Sequence, residues 1–217
     1  MIAELGHAAL WLAAALAALQ MAAGFLAVRA GEGSEIARLV RPSAVVQAAL
    51  ASIAFAMLLW LFAITDLSVK LVAANSHSLK PLVFKLSGAW GNHEGSMLLW
   101  VTVMSLSGGL IALAEKRLPE RTMHATLAAQ GLVSLGFYAF LILSSNPFER
   151  LPVPAPEGLG LNPLLQDLGL AFHPPTLYMG YVGLSVAFSF AVGALLTRQV
   201  TPDFASAMRP WVLAAWV

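Results

Sequence analysis

One imidazole is set apart from the other polar side chains of this sequence by its C-terminal neighbours. In residues 162–183, NPLLQDLGLAFHPPTLYMGYVG, His173 comes immediately before two prolines and a long apolar run. A residue preceding proline is pushed out of the helical region of φ/ψ, and Pro174 and Pro175 suit a first helical turn, whose N–H groups have no intrahelical partner. The spacing therefore predicts that His173 stands where a helix begins. Residues 174–196 carry no charged side chain; at about 1.5 Å per residue they would be roughly 35 Å long, enough to cross a bilayer's hydrocarbon core. At the mouth of such a helix the positive end of the dipole disfavours a second positive charge, and an uncharged imidazole can bind a metal. The plainer reading is an interfacial polar residue, and spacing alone leaves both open. Tyr178 and Tyr181, three apart on the same helix, read first as an aromatic belt.

A second group of chemistry-bearing residues lies at 90–96, Trp90-Gly-Asn-His-Glu-Gly-Ser. It puts His93 and Glu94 between two glycines at the start of an apolar segment, with Asn92 and Ser96 as candidate helix caps. Capping of the helix is the plainer account of this cluster; contact with a ligand is the other. Trp11, Trp60, Trp90 and Trp100 fall toward one face of the chain's expected topology, where an interfacial belt accounts for them and a surface for a large flat ligand would too. His7, His77 and His124 read as ordinary polar residues at interfaces.

The elements that must position these groups are membrane helices. The chain has 217 residues, 59% of them hydrophobic and 11% charged, with a mean hydropathy of +0.79, more apolar surface than a water-soluble domain needs. Five apolar segments are long enough to cross, at about 8–28, 43–65, 96–114, 123–144 and 174–196, and a sixth begins near 209. The polypeptide is expected to continue beyond Val217. The N-terminus, MIAELGH, lacks the basic region of a cleavable signal, so the first segment is expected to be a retained span.

Cations fix the expected orientation. Arg29, Arg38 and Arg41 follow the first span, Lys116, Arg117 and Arg121 the third, and Arg198 and Arg209 the fifth, which makes these connections cytoplasmic by the positive-inside rule. The N-terminus, His173 and both long loops are then outside. In the first loop Pro81 can open a short interfacial helix; in the second, Asn162-Pro163 starts one that Gly169 should stop. The expected fold is an all-α polytopic membrane protein of five complete transmembrane helices and the start of a sixth, residues 1–217 being the N-terminal transmembrane part of something larger.

Several function classes recede. A net charge of +1 and the absence of phosphate-cradling loops imply no nucleic-acid partner. The chain has no cysteine, which excludes disulfides, thiolate metal sites and thiol catalysis within it. The five spans lack Asp, Glu, Lys and Arg, which disfavours a proton relay in this part. Gln20, Gln47 and Gln130 are explained by hydrogen bonds between helices, and Gly180 and Gly183 by close helix packing.

The stretches WGNHEGSMLLW and NPLLQDLGLAFHPPTLYMGYVG, with the opening MIAELGHAALWLAAALAALQ and the segment NSHSLKPLVFKLSGAWG, resemble the signatures of the CcmF/NrfE heme lyase family of the cytochrome c maturation system. The departures are Ala3, where proline is common, and Asn92, where glycine is. The resemblance implies a bacterial inner-membrane protein, working at its periplasmic face, that receives heme b from the chaperone CcmE. With CcmH it would join the heme vinyl groups to the thiols of a CXXCH motif in apocytochrome c. It implies that His173 is an external axial ligand to the heme iron, and it brings His93, Glu94, Trp90 and Tyr178 forward as further heme-contacting candidates. The second external histidine, the tryptophan-rich heme cradle and the two transmembrane histidines of a structural heme would lie in later sequence. The 217 residues alone are therefore not expected to catalyse attachment. A heme exporter, a nitrite-reductase-specific lyase, a solute transporter and an assembly scaffold are the alternatives.

Overall fold

The computed structural model describes residues 1–31 and 34–217. Among these, regular structure is helical apart from one isolated antiparallel bridge, Val69 with Arg150. Five helices are long and apolar enough to cross a membrane: α1 (Ile2–Ala30), α2 (Ala37–Ala63), α5 (His93–Ala114), α6 (Glu120–Ser144) and α7 (Leu168–Thr197). Two short helices, α3 (Lys70–Asn75) and α4 (Leu82–Ser87), lie in the first long loop, and α8 (Pro202–Trp216) follows α7. Helices are what hydrocarbon demands, because they satisfy backbone polar groups without water.

The sequence also dictates how the helices meet. On α1, Leu5, Leu12, Leu19 and Leu26 recur every seventh residue and are exposed, while Ala9, Ala13, Ala17, Ala23 and Ala27 are buried. Small side chains let backbones approach, and large ones face lipid at no cost. α1 packs on α2 and α6, α5 on α2, α6 and α7, and α8 on α7. The three glutamines link helices as expected. Gln20 Nε2 donates to the Leu127 carbonyl at 2.7 Å, Gln47 Nε2 to Ser105 Oγ at 3.0 Å, and Gln130 Nε2 to Ser185 Oγ at 3.1 Å.

The two ends of the bundle differ. At one, Arg41 donates to the Ala112 carbonyl and pairs with Glu120, Arg121 donates to the Val28 carbonyl, and Arg117 to that of Ser206. These residues belong to the connections that the cation count grouped together. At the other end the two long loops join into one cap: Lys70 N–H donates to Glu149 O, Leu151 N–H to Ser68 O, and Leu159 N–H to Ala73 O. Glu4 of α1 holds Arg150 of the second loop.

Several boundaries differ from expectation, each for a local reason. α7 starts at Leu168, not Pro174, because Asp167 caps it: its carboxylate accepts from Leu170 N–H at 3.1 Å and its carbonyl from Ala171 N–H at 2.8 Å. His173 is thus the sixth residue of the helix rather than its first, beyond the first turn where a dipole acts most. Gly169 lies inside α7, and the expected surface helix shrinks to the 3-10 turn Pro163–Leu165. α8 begins at Pro202, with Thr201 Oγ accepting from Phe204 N–H at 3.3 Å, so Arg209 lies within it. α4 follows Pro81 as expected, whereas α3 has no cap in its sequence and forms where Leu71 and Val72 are buried.

Candidate functional site

His173 occupies the second turn of α7, on the cap side of the bundle, and its side chain is exposed. The two prolines after it have a specific cost. Proline lacks the N–H that would bond to the carbonyl four residues back, so Pro175 leaves the Ala171 carbonyl without its helical donor. The indole of Trp90 supplies one: Nε1 donates to Ala171 O at 2.8 Å. Ala171 is buried, and Thr176 Oγ1 donates to the Phe172 carbonyl at 3.0 Å. The turn bearing His173 is therefore held from both sides of the diproline.

The imidazole opens onto a cleft of about 510 Å³ between α7 and α8. Leu177, Gly180, Tyr181 and Leu184 form one wall, following His173 at helical spacing; Ala214, Ala215, Trp216 and Val217 form the other. Gly180 and Gly183 make the approach of α8 close. A Cβ on Gly183 would lie 3.1 Å from Ala215 Cβ, and one on Gly180 would lie 3.0 Å from the Ala215 carbonyl oxygen. The size is within the range of small-molecule sites and the walls are mostly apolar with two aromatic rings.

The other candidates stand elsewhere. Trp90, His93 and Tyr178 line a separate cleft of about 430 Å³, with Asn92, Ser96 and Pro174. Tyr178 is five residues beyond His173, about 140° around the helix at 100° per residue, so the two side chains serve different faces of α7. Its hydroxyl lies 3.3 Å from Ser96 Oγ, which donates to the Trp90 carbonyl at 2.8 Å. Asn92 caps α5, accepting from Gly95 N–H at 2.7 Å. His93 Nδ1 is 2.9 Å from Ser145 Oγ at the end of α6, and its ring meets Phe140 edge-on at 5.4 Å. Glu94 is in the first turn of α5, where its charge complements the helix dipole, and it lines neither cleft. The structure brings Trp90, His93 and Tyr178 together and joins His173 to them only through the backbone of α7.

The remaining histidines make local contacts. His7 Nε2 accepts from the Trp11 indole at 3.0 Å, His77 Nδ1 accepts from Leu79 N–H at 3.2 Å, and His124 lies 3.2 Å from Glu120.

Among the described residues no three His, Cys, Asp or Glu side chains gather as a metal cage. A heme does not need one, because the porphyrin brings four nitrogen donors and asks the protein for axial ligands and an apolar bed. One exposed imidazole above a mostly apolar cleft fits that demand. Sequence reasoning missed the α8 wall, Trp216 included, and the indole bond to Ala171. Pro175 does announce that the Ala171 carbonyl needs a donor; nothing in the sequence says that Trp90, 81 positions away, is the donor.

Comparison with known proteins bears on what this site serves. A family model described as "Cytochrome C assembly protein" matches residues 90–217, more than half of the chain. The chain is 50% identical over 217 residues to the cytochrome c-type biogenesis protein CycK of Rhizobium meliloti, covering all of this chain and 32% of that protein. It is 46% identical over 219 residues to the cytochrome c-type biogenesis protein CcmF of Haemophilus influenzae, again over its whole length and 34% of the relative. A solved structure of a cytochrome c heme lyase CcmF superposes with a TM-score of 0.86 at 30% identity, covering 100% of this chain and 34% of that one. The chain spans about a third of the length of these relatives.

Proposed function

The chain belongs to the cytochrome c assembly protein family, and from that premise we propose that it is the N-terminal transmembrane part of a cytochrome c heme lyase. The whole protein takes heme b from the chaperone CcmE, acts with CcmH, and ligates the heme to CXXCH apocytochrome c at the periplasmic face of the bacterial inner membrane. His173 is the external axial ligand to the incoming heme iron. The cation-bearing connections gathered at one end of the bundle, opposite His173, support the orientation.

The observation that carries the reading is the exposed imidazole of His173 beside a mostly apolar cleft of about 510 Å³. A ring buried among helices, or one turned toward the arginine-rich end, would have ruled it out. The chemistry divides cleanly between the parties. Heme supplies the vinyl groups and apocytochrome the thiols: each thiol S–H adds across a vinyl C=C, forming one S–C and one C–H bond with no external oxidant or reductant. This chain, which has no thiol, contributes a lone pair from His173 and an apolar wall that holds a flat ring and keeps water from it. A single axial imidazole is a holding device, so the catalytic constellation is completed by other parts of the protein. His93 and Tyr178 belong to the second cleft, beside the corner that grips α7, and with Glu94 in the first turn of α5 they stand as secondary heme-contacting candidates.

The test is replacement of His173 by glycine in the intact protein in cells. Cytochrome c assembly should be lost, and added imidazole should restore part of it by entering the vacated ligand position. Normal maturation with His173→Ala would end the proposal.

A further inference from the structure

Resting on the reading of His173 as an axial ligand, we propose that Trp90 is its positioning residue: the indole N–H replaces the hydrogen bond that Pro175 deletes and so fixes the turn that aims the imidazole. Trp90 then acts on the heme through His173 and not by touching it. α7 carries prolines at its seventh and eighth positions, past the first turn where proline is tolerated without loss. The Ala171 carbonyl, four residues before Pro175, loses the backbone donor that would close its turn. At the depth of a membrane interface an unpaired buried carbonyl is costly, because little water reaches it. The Trp90 Nε1–H, at 2.8 Å, is the donor found there.

Trp90 is itself held in place, which a positioning residue requires. Its N–H donates to Ser87 O at 3.2 Å, and its carbonyl accepts from Ser96 Oγ at 2.8 Å. The Ser96 hydroxyl lies 3.3 Å from the Tyr178 hydroxyl, on the far side of the diproline. The corner between α4 and α5 thus grips α7 at Ala171 and at Tyr178, and His173 is on the span between the two grips. Trp90 lines the cleft with Tyr178, whereas His173 lines the one facing α8. An indole on the opposite side of the helix from the ligand position is placed to hold the helix.

The test uses the intact protein in nanodiscs and asks whether the effect of the indole N–H depends on the proline. Trp90→Phe keeps most of the ring and loses the donor; Pro175→Ala returns an N–H that can bond to Ala171 within the helix. In the parent background, Trp90→Phe should weaken hemin binding about fivefold, the scale of one net hydrogen bond. It should also speed amide exchange of residues 168–173 in the heme-free protein by a similar factor. In the Pro175→Ala background both effects should fall below about twofold, because the helix then closes its own turn. Equal losses in the two backgrounds, or unchanged exchange in the parent, would overturn the proposal, since a bulk packing role of Trp90 does not depend on residue 175. His173→Gly is the separate control: hemin spectra unchanged by it would defeat the ligand reading, while the coupling in exchange rates would still report on the indole clamp.

Discussion

Arg150, in the second long loop, is gripped by Glu4 at the start of α1 through two parallel contacts, Nε at 2.6 Å and Nη2 at 3.0 Å from the carboxylate oxygens. Asp66, from the first loop, stands 3.6 Å from the same guanidinium. The pairing raises the guanidinium pKa, chiefly through the hydrogen bond to Glu4. One planar fork thus ties three separate segments at the cap. The side chains are 34% and 57% exposed, so solvent screens the pair and its contribution to stability is small. Arg150→Ala should lower the thermal unfolding midpoint in detergent slightly, and less at high salt, and Arg150→Lys should recover little because an ammonium cannot make both contacts. Full recovery by lysine would show that charge alone matters.

The two loops are also clasped by Glu157. Its carboxylate accepts from the Ser78 hydroxyl, from Gly158 N–H at 2.8 Å and from Ser78 N–H at 3.1 Å, and these bonds, the Ser78 hydroxyl first, pull its pKa down to about 2. The folded value lies below the ordinary 4.5, so the clasp is fully present above about pH 4.5 and is lost as pH falls toward 2. A carboxyl carbon titration should place the Glu157 midpoint near 2, and Ser78→Ala should move it upward. Glu157→Gln should remove the acid-dependent loosening of residues 76–80.

Much of this architecture was legible in the chain and some was not, and the division has a physical cause. Membrane spans reveal themselves because hydrocarbon imposes length and apolarity on each helix by itself: five segments, three glutamine links and the small-residue contact at Gly183 follow from local sequence. Helix ends inside the cap depend on partners. Asp167 opens α7 six residues before His173, and a diproline that reads as a helix start is carried within the helix by Trp90. The site divides the same way. His173 stands out from its neighbours in sequence, but Tyr178, which proximity in number groups with it, faces another cleft. Which face of α7 each residue serves is decided by α5 and α8, which sequence spacing does not place.

His93 and Ser145 join the start of α5 to the end of α6, with Nδ1 and Oγ 2.9 Å apart. Ser145 is 5% exposed, so an unpaired hydroxyl there would be a real loss. His93→Ala and Ser145→Ala should each destabilise the protein by about 1 kcal/mol, and the double variant should cost less than the sum, the mark of a direct bond. Ser145→Ala should leave hemin spectra unchanged. If His93→Ala alters those spectra while Ser145→Ala does not, His93 meets the heme as well as the helix.

The cleft beside His173 depends on how near α8 comes to α7, and the spacing is set by Gly183 against Ala215. A Cβ at Gly183 would be 3.1 Å from that alanine's Cβ; an alanine there calls for a shift of a few tenths of an ångström, whereas a leucine must push α8 away. Overpacking of this kind costs about 1–3 kcal/mol, much of it relieved when a helix that packs on few neighbours swings outward. α8 is such a helix, with α7 its main contact. Spin labels at Leu184 and Leu213 should therefore move apart in Gly183→Leu and stay put in Gly183→Ala. Hemin binding should fall severalfold in the leucine variant alone, although His173, Trp90 and the turn between them are untouched. Were the labels to separate with no change in hemin affinity, the α8 wall would be no part of the heme's bed and His173 would bind its ligand from the open side of α7.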